Sequence, residues 1–150
     1  MSSSDILRVR RYFERGVYFI NQNQLGDACV NLKDALYLAP YFLPARTHLA
    51  IALTKQRKYL EAIHLLEEAR KSKTLREDEL VEVLELLGNI SLIRQDHPAA
   101  IYYLRAAYKI DSNNAHLRAK LATALCKGGK LEEGIDLLIE NARKLGTSNA

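Results

Sequence analysis

A chain of 150 residues, 48% hydrophobic and 27% charged, carries enough apolar mass for one core, which excludes a disordered polymer and sets a single domain, residues 1–150, as the expectation. Only three prolines and seven glycines leave room for long helices. The net charge of +4 comes from 22 basic residues spread along the chain, which gives nucleic-acid binding little support.

From Asp5 to about Gln22, the residues Ile6, Val9, Phe13, Val17 and Ile20 recur every three or four positions, predicting a helix with Ser4 or Asp5 as its N-cap. A polar break at Gln22-Asn23-Gln24 separates it from a helix carrying Leu25, Ala28, Leu32, Ala35, Leu36 and Ala39, which Pro40 ends. A second pair follows, with Leu43, Ala45, Leu49, Ala50 and Leu53, a polar break from Lys55 to Lys58, then Tyr59, Ala62, Ile63, Leu66 and Ala69. Thr74 with Glu77 fits a capping box that opens a third pair. Its first helix carries Leu80, Val83, Leu84, Leu87 and Ile90, and its second begins at His97-Pro98, where proline's missing amide hydrogen has no helical partner to lose. The fourth pair carries Leu117, Leu121, Ala122 and Leu125, turns at Gly128-Gly129, and continues through Leu131, Ile135, Leu138 and Ala142, leaving Leu145 to Ala150 as a tail.

The four pairs share a frame of small residues. Gly16, Ala28, Ala35 and Pro40 return as Ala50, Ala62, Ala69 and Thr74, then as Gly88, Ala100, Ala107 and Ser112, and finally as Ala122, Gly134 and Asn141. The third copy is late, since Gly88 follows Ala50 by about 38 positions against a period of 34 residues. The delay predicts a longer first helix in that pair or a longer approach to it.

This arrangement resembles the tetratricopeptide repeat (TPR), whose 34-residue unit holds small residues at its eighth, twentieth and twenty-seventh positions and often proline at the thirty-second. The resemblance covers nearly the whole chain, as repeats 9–42, 43–76, 81–114 and 115–148. It implies an all-α fold, a right-handed superhelical solenoid of four antiparallel helix-turn-helix units with about eight helices. Small residues are needed where the two helices of a unit cross closely. The fourth position, often a large aromatic in this family, is Tyr12, Arg46, Leu84 and Arg118, and Asn141 replaces a small residue; these departures weaken the fourth unit most.

The resemblance further implies protein binding in a concave groove lined by the first helices. Mapped onto this chain, the lining includes Phe13, Val17 and Ile20; Thr47, His48 and Ile51; Glu82, Glu85, Leu86, Asn89, Leu92 and Ile93; and Lys120 and Thr123. So many apolar residues suit a helical or extended partner segment with apolar anchors, held by an adaptor or dedicated chaperone. TPR domains that clamp the carboxylate tail of heat-shock chaperones use lysine, asparagine and arginine at set groove positions; here those places hold Phe13, Val17, His48, Glu82 and Leu86, so the clamp is absent. A narrower resemblance is to the small TPR chaperones of bacterial type III secretion, though those are usually acidic and three-repeat.

A different class of function is a structural subunit that self-associates. No polar solvating helix follows the fourth pair, so Leu131, Ile135, Leu138, Ile139 and Ala142 would offer an unfinished face to a second copy, making a homo-oligomer. Cys29 and Cys126 lie in the first and last repeats, where no internal disulfide is expected, which points to a reducing compartment. The start lacks a signal-length apolar core and no apolar run approaches the ~20 residues of a membrane span, so the expectation is a cytoplasmic protein without a membrane partner. His48, His64, His97 and His116 stand singly, and no nucleophile aligns with a base; the expectation is no metal, no cofactor and no catalysis.

Overall fold

The computed structural model describes residues 1–148, and among these residues all regular structure is helical. The order is α1 (Ser3–Asn21), α2 (Leu25–Leu38), α3 (Leu43–Lys55), α4 (Tyr59–Arg70), α5 (Glu77–Ile93), α6 (His97–Ile110), α7 (Ala115–Lys127) and α8 (Leu131–Ser148). Odd-numbered helices are the first members of the four pairs, and even-numbered ones the second. The late third copy lengthens the helix itself, since α5 has 17 residues against 13 in α3 and α7. The chain falls into two compact units, Met1–Ser72 and Lys73–Ala150, each containing two pairs.

Within the first unit α1 packs on α2, α2 on α3 and α3 on α4; within the second α5 packs on α6, α6 on α7 and α7 on α8. The small residues sit at these crossings. Ala28, Ala35, Ala62, Ala100, Ala107 and Ala122 are all fully buried. A methyl group on Gly16 would stand 2.5 Å from Leu32 Cγ, and one on Gly88 would stand 2.7 Å from Leu104 Cγ, so glycine lets leucine fill the crossing in both units. In the second unit the core joins Leu84 of α5, Ala100, Ile101 and Leu104 of α6, and Leu117, Leu121 and Leu125 of α7. Each fully buried leucine contributes about 1.5–3 kcal/mol relative to exposure.

The turn inside each pair is one device used four times. Asn23, Arg57, Gln95 and Gly129 hold φ of 57°, 63°, 59° and 85°, the left-handed conformation that closes a helix C-terminus. The next residue's N–H then reaches back five residues, from Gln24 to Phe19, Lys58 to Leu53, Asp96 to Ser91 and Lys130 to Leu125, at 2.8 to 2.9 Å. Glycine marks this turn in sequence only in the fourth pair.

Three end positions differ from expectation. The N-cap of α1 is Ser2, whose hydroxyl accepts from Asp5 N–H at 3.1 Å while the Asp5 carboxylate accepts from Ser2 N–H and O–H, a box available only if the helix starts at Ser3. At α5 the N-cap is Arg76 rather than Thr74, and Glu79, not Glu77, accepts the Arg76 N–H at 3.0 Å. Of the expected tail, Leu145 to Ser148 continue α8, while Asn149 and Ala150 lie outside the described residues.

The two departures in the fourth unit answer each other. Arg118 is 1% exposed, and its guanidinium donates to Asn141 Oδ1 at 2.7 Å, to the Ser112 carbonyl at 3.2 Å and to the Tyr108 hydroxyl at 3.4 Å. Asn141 thus replaces a small residue in order to satisfy a buried charge.

Candidate interaction surface

In the first unit the candidate residues lie on α1 and α3. Phe13 is half-buried, its ring edge-on to Phe42 with centroids 5.4 Å apart and to His48 at 5.2 Å. His48 Nδ1 lies 2.7 Å from the Pro44 carbonyl oxygen, which fixes the imidazole. These three rings tie α1 to the start of α3. Val17 and Ile51 are half-buried. Ile20 and Thr47 present little surface, at 8% and 1% exposed. Ile20 continues the stripe Val9, Gly16 that α1 buries. Thr47 belongs to a helix buried on most sides, and its hydroxyl donates to the Pro44 carbonyl at 3.1 Å, so its one polar group needs no solvent.

In the second unit the candidates lie on α5 and α7. Glu82 is exposed, whereas Glu85 is half-buried and accepts from Lys120 Nζ at 2.7 Å, with His116 Nε2 at 3.7 Å. Two expected groove charges therefore neutralise each other between α5 and α7. Leu86 and Asn89 are half-buried, and Ile93 is 55% exposed. Leu92 packs against the core of its unit. Thr123 is exposed, and its hydroxyl donates to the Ala119 carbonyl at 3.0 Å.

On α8, the apolar residues Leu131, Ile135, Leu138 and Ile139 are all between 45% and 58% exposed, and Ala142 is exposed as well. Leu145, read from sequence as part of a tail, extends the same helix.

Chemistry at Cys29 is muted. Burial pushes the Cys29 thiol above its ordinary value, against smaller opposing effects of Lys33 and Lys58, and its sulfur donates weakly to Gln56 Oε1 at 3.6 Å. Among the described residues no group of three or more His, Cys, Asp and Glu side chains is placed to hold a metal ion, and no helix is long and apolar enough to cross a membrane.

The pairing of Arg118 with Asn141 was missed in the sequence, although a signal existed: two departures from the repeat pattern fall in the same unit. The left-handed residues Arg57 and Gln95 left no such trace, because neither side chain is a turn-former.

The sequence matches no curated protein. Solved structures do resemble the chain. YrrB, described as a TPR protein with an unusual peptide-binding site, is 20% identical with a TM-score of 0.71, over 89% of this chain and 66% of that one. MamA from Desulfovibrio magneticus RS-1 is 14% identical with a TM-score of 0.81, over 95% and 78%. The TPR-like repeats of a putative kinesin light chain from Podosopora anserina are 18% identical with a TM-score of 0.83, over 98% and 78%. At these identities the likeness is one of fold. The tetratricopeptide repeat family model matches residues 91–140, a span that takes in most of the fourth pair. That match over residues 91–140, the four crossings of small residues and these structural neighbours together give the chain the tetratricopeptide-repeat fold, an all-α helical repeat solenoid.

Proposed function

We propose that the protein is an interaction module that holds a helical or extended segment of a partner protein on the faces of its first-of-pair helices, acting in the cytoplasm as one domain, in the manner of an adaptor or dedicated chaperone. The observation that carries this reading is the row Leu86, Asn89, Ile93 on α5, in which two incompletely buried apolar side chains flank a carboxamide. Such side chains offer anchors to a partner's apolar residues, and a carboxamide both donates to and accepts from an extended backbone. The Glu85–Lys120 pair beside this row leaves no concentrated positive charge for a carboxylate tail. The peptide-binding site ascribed to YrrB supports the same class of partner.

The test is the double variant Leu86→Glu with Ile93→Glu, assayed by co-purification from the native cell. We expect the associated proteins to be lost while the helical circular dichroism is unchanged. If the same proteins co-purify in the same amount, the α5 face is not the binding surface. Phe13→Glu is a less clean probe, because that ring also holds α1 to α3 and its loss lowers stability.

A further inference from the structure

Each unit carries a cleft at the same place in its repeats. In the first unit α3 packs against both α2 and α4, and a cavity of about 320 Å³ opens onto it between these flanking helices. The floor is Leu49 and Leu53 of α3, each 2% exposed, and half-buried Leu36 of α2 and Leu65 of α4 form the walls. Lys33 of α2 and Glu61 of α4 complete the lining, both exposed, and so stand at its mouth. In the second unit Arg105, Leu121, Glu133 and Leu137 repeat Lys33, Leu49, Glu61 and Leu65 around a cavity of about 350 Å³ between α6 and α8.

The two clefts differ at the mouth. In the second unit Arg105 and Glu133 join as an ion pair, which sets the two positions opposite each other and satisfies both charges. In the first unit lysine holds the cationic position, and neither Lys33 nor Glu61 makes a hydrogen bond or ion pair among the described residues. Lysine's compact ammonium lacks the forked reach of a guanidinium. His64, also in the lining, turns to Glu68 at 3.1 Å. The first cleft is therefore an apolar pit with an unpaired cation and an unpaired anion facing each other at its mouth.

That combination selects the ligand. A carboxylate with an apolar tail would satisfy Lys33 but set its charge against Glu61, and an apolar amine would do the reverse. A polypeptide crossing the mouth offers only neutral amides there. A molecule with an ammonium, a carboxylate and an apolar group on one carbon meets all three demands. We propose that the cleft between α2 and α4 is a binding site for a free apolar amino acid, its side chain among the leucines, its carboxylate toward Lys33 and its ammonium toward Glu61. Water at the open mouth screens both ion pairs, so the leucines supply most of the affinity and the charges supply the selectivity. The site uses α2, α3 and α4 and is independent of the binding reading of the α5 face.

Chemical-shift titration of the isotope-labelled protein with L-leucine and L-phenylalanine, to about 20 mM, tests it. Saturable shifts are expected on α2, α3 and α4. Lys33→Ala and Glu61→Ala are each expected to weaken binding about threefold or more, and Arg105→Ala to leave it unchanged. Isocaproate and isopentylamine, which each keep the apolar group of leucine and one of its charges, are expected to bind about threefold or more weaker than L-leucine. N-acetyl-L-leucine amide carries the same side chain between neutral amides, as a polypeptide would. If it binds as tightly as L-leucine, the cleft takes a partner's side chain and the proposal is overturned. The absence of saturable shifts with either amino acid, or undiminished binding by both Lys33→Ala and Glu61→Ala, would overturn it as well.

Discussion

Offset by 72 positions, the two units are versions of one design whose differences fall at a few places. Gly16 against Leu32 in the first unit is Gly88 against Leu104 in the second. Arg46 and Arg118 occupy one slot, and each donates to the carbonyl of the residue six positions earlier, Pro40 at 2.7 Å and Ser112 at 3.2 Å. Beyond that contact they part. Arg46 extends to the exposed carboxylate of Glu68 at 3.1 Å, whereas Arg118 is intercepted by Asn141, where the first unit has Ala69. A second difference lies on the last helix of each unit: α4 carries the ion pair Glu67–Arg70 at 2.8 Å where α8 carries Ile139 and Ala142. The repeat fixes the crossings, while what lies on the outer faces of the second helices is free to diverge.

The largest expected effect comes from the arginine slot. Arg118→Ala removes a buried guanidinium and leaves Asn141 Oδ1 and the Ser112 carbonyl short of a donor, a loss of about 3 kcal/mol. Arg46→Ala, whose side chain is 15% exposed and whose carboxylate partner stays hydrated, should cost about 1 kcal/mol. Thermal unfolding checks both, at about 4–8 °C per kcal/mol for a unit of this size. Equal losses would mean that the two slots are energetically the same. The pairing is sharpened further by Arg118→Met with Asn141→Ala, which removes both polar partners and should recover most of the loss.

The glycine crossings should instead behave alike. An alanine at Gly16 or Gly88 gains about 1 kcal/mol of helix propensity but forces a buried leucine aside at a cost of about 1–3 kcal/mol, so each variant should lose about 1 kcal/mol net. Denaturant titration checks the two values. A difference beyond 0.5 kcal/mol, about the tolerance for independent sites, would break the equivalence of the units.

These cases show what the sequence makes legible. Steric requirements are visible residue by residue, so Gly16, Ala28, Ala35 and their counterparts marked every crossing. Partnership is not, since Arg118 and Asn141 are far apart in the chain and each alone reads as a defect. Periodicity drew the line Phe13, Val17, Ile20 correctly as a helix face, but only packing decides that Ile20 falls inside it. Helix ends moved by a few residues because caps depend on local bonds, as Ser2 with Asp5 shows.

The intra-pair turns separate the units by less. Arg57→Gly in the first unit and Gln95→Gly in the second relieve a left-handed side chain and should each stabilise by about 0.5–1 kcal/mol, while Gly129→Ala should destabilise by a similar amount. Melting temperatures of the three variants check the signs. If Arg57→Gly destabilises, Arg57 makes a contact worth more than its backbone strain.

The smallest effect lies at the openings of α1 and α5. Hydrogen bonds from Ser2 hold the Asp5 carboxyl below its ordinary value, with a lesser contribution from Arg8, whereas at α5 the corresponding acceptor is Glu79. A carboxyl lowered by folding stabilises above its unfolded pKa, and that contribution is lost as pH falls through the lowered folded value. Asp5→Asn should therefore melt slightly below the parent at neutral pH, and the two should converge in acid as Asp5 protonates. Because the site is exposed, the neutral-pH difference should also shrink in high salt to the extent that Arg8 contributes, while the part due to the Ser2 hydrogen bonds persists. A difference that is independent of pH would place the effect of Asp5 in helix propensity rather than in its charge.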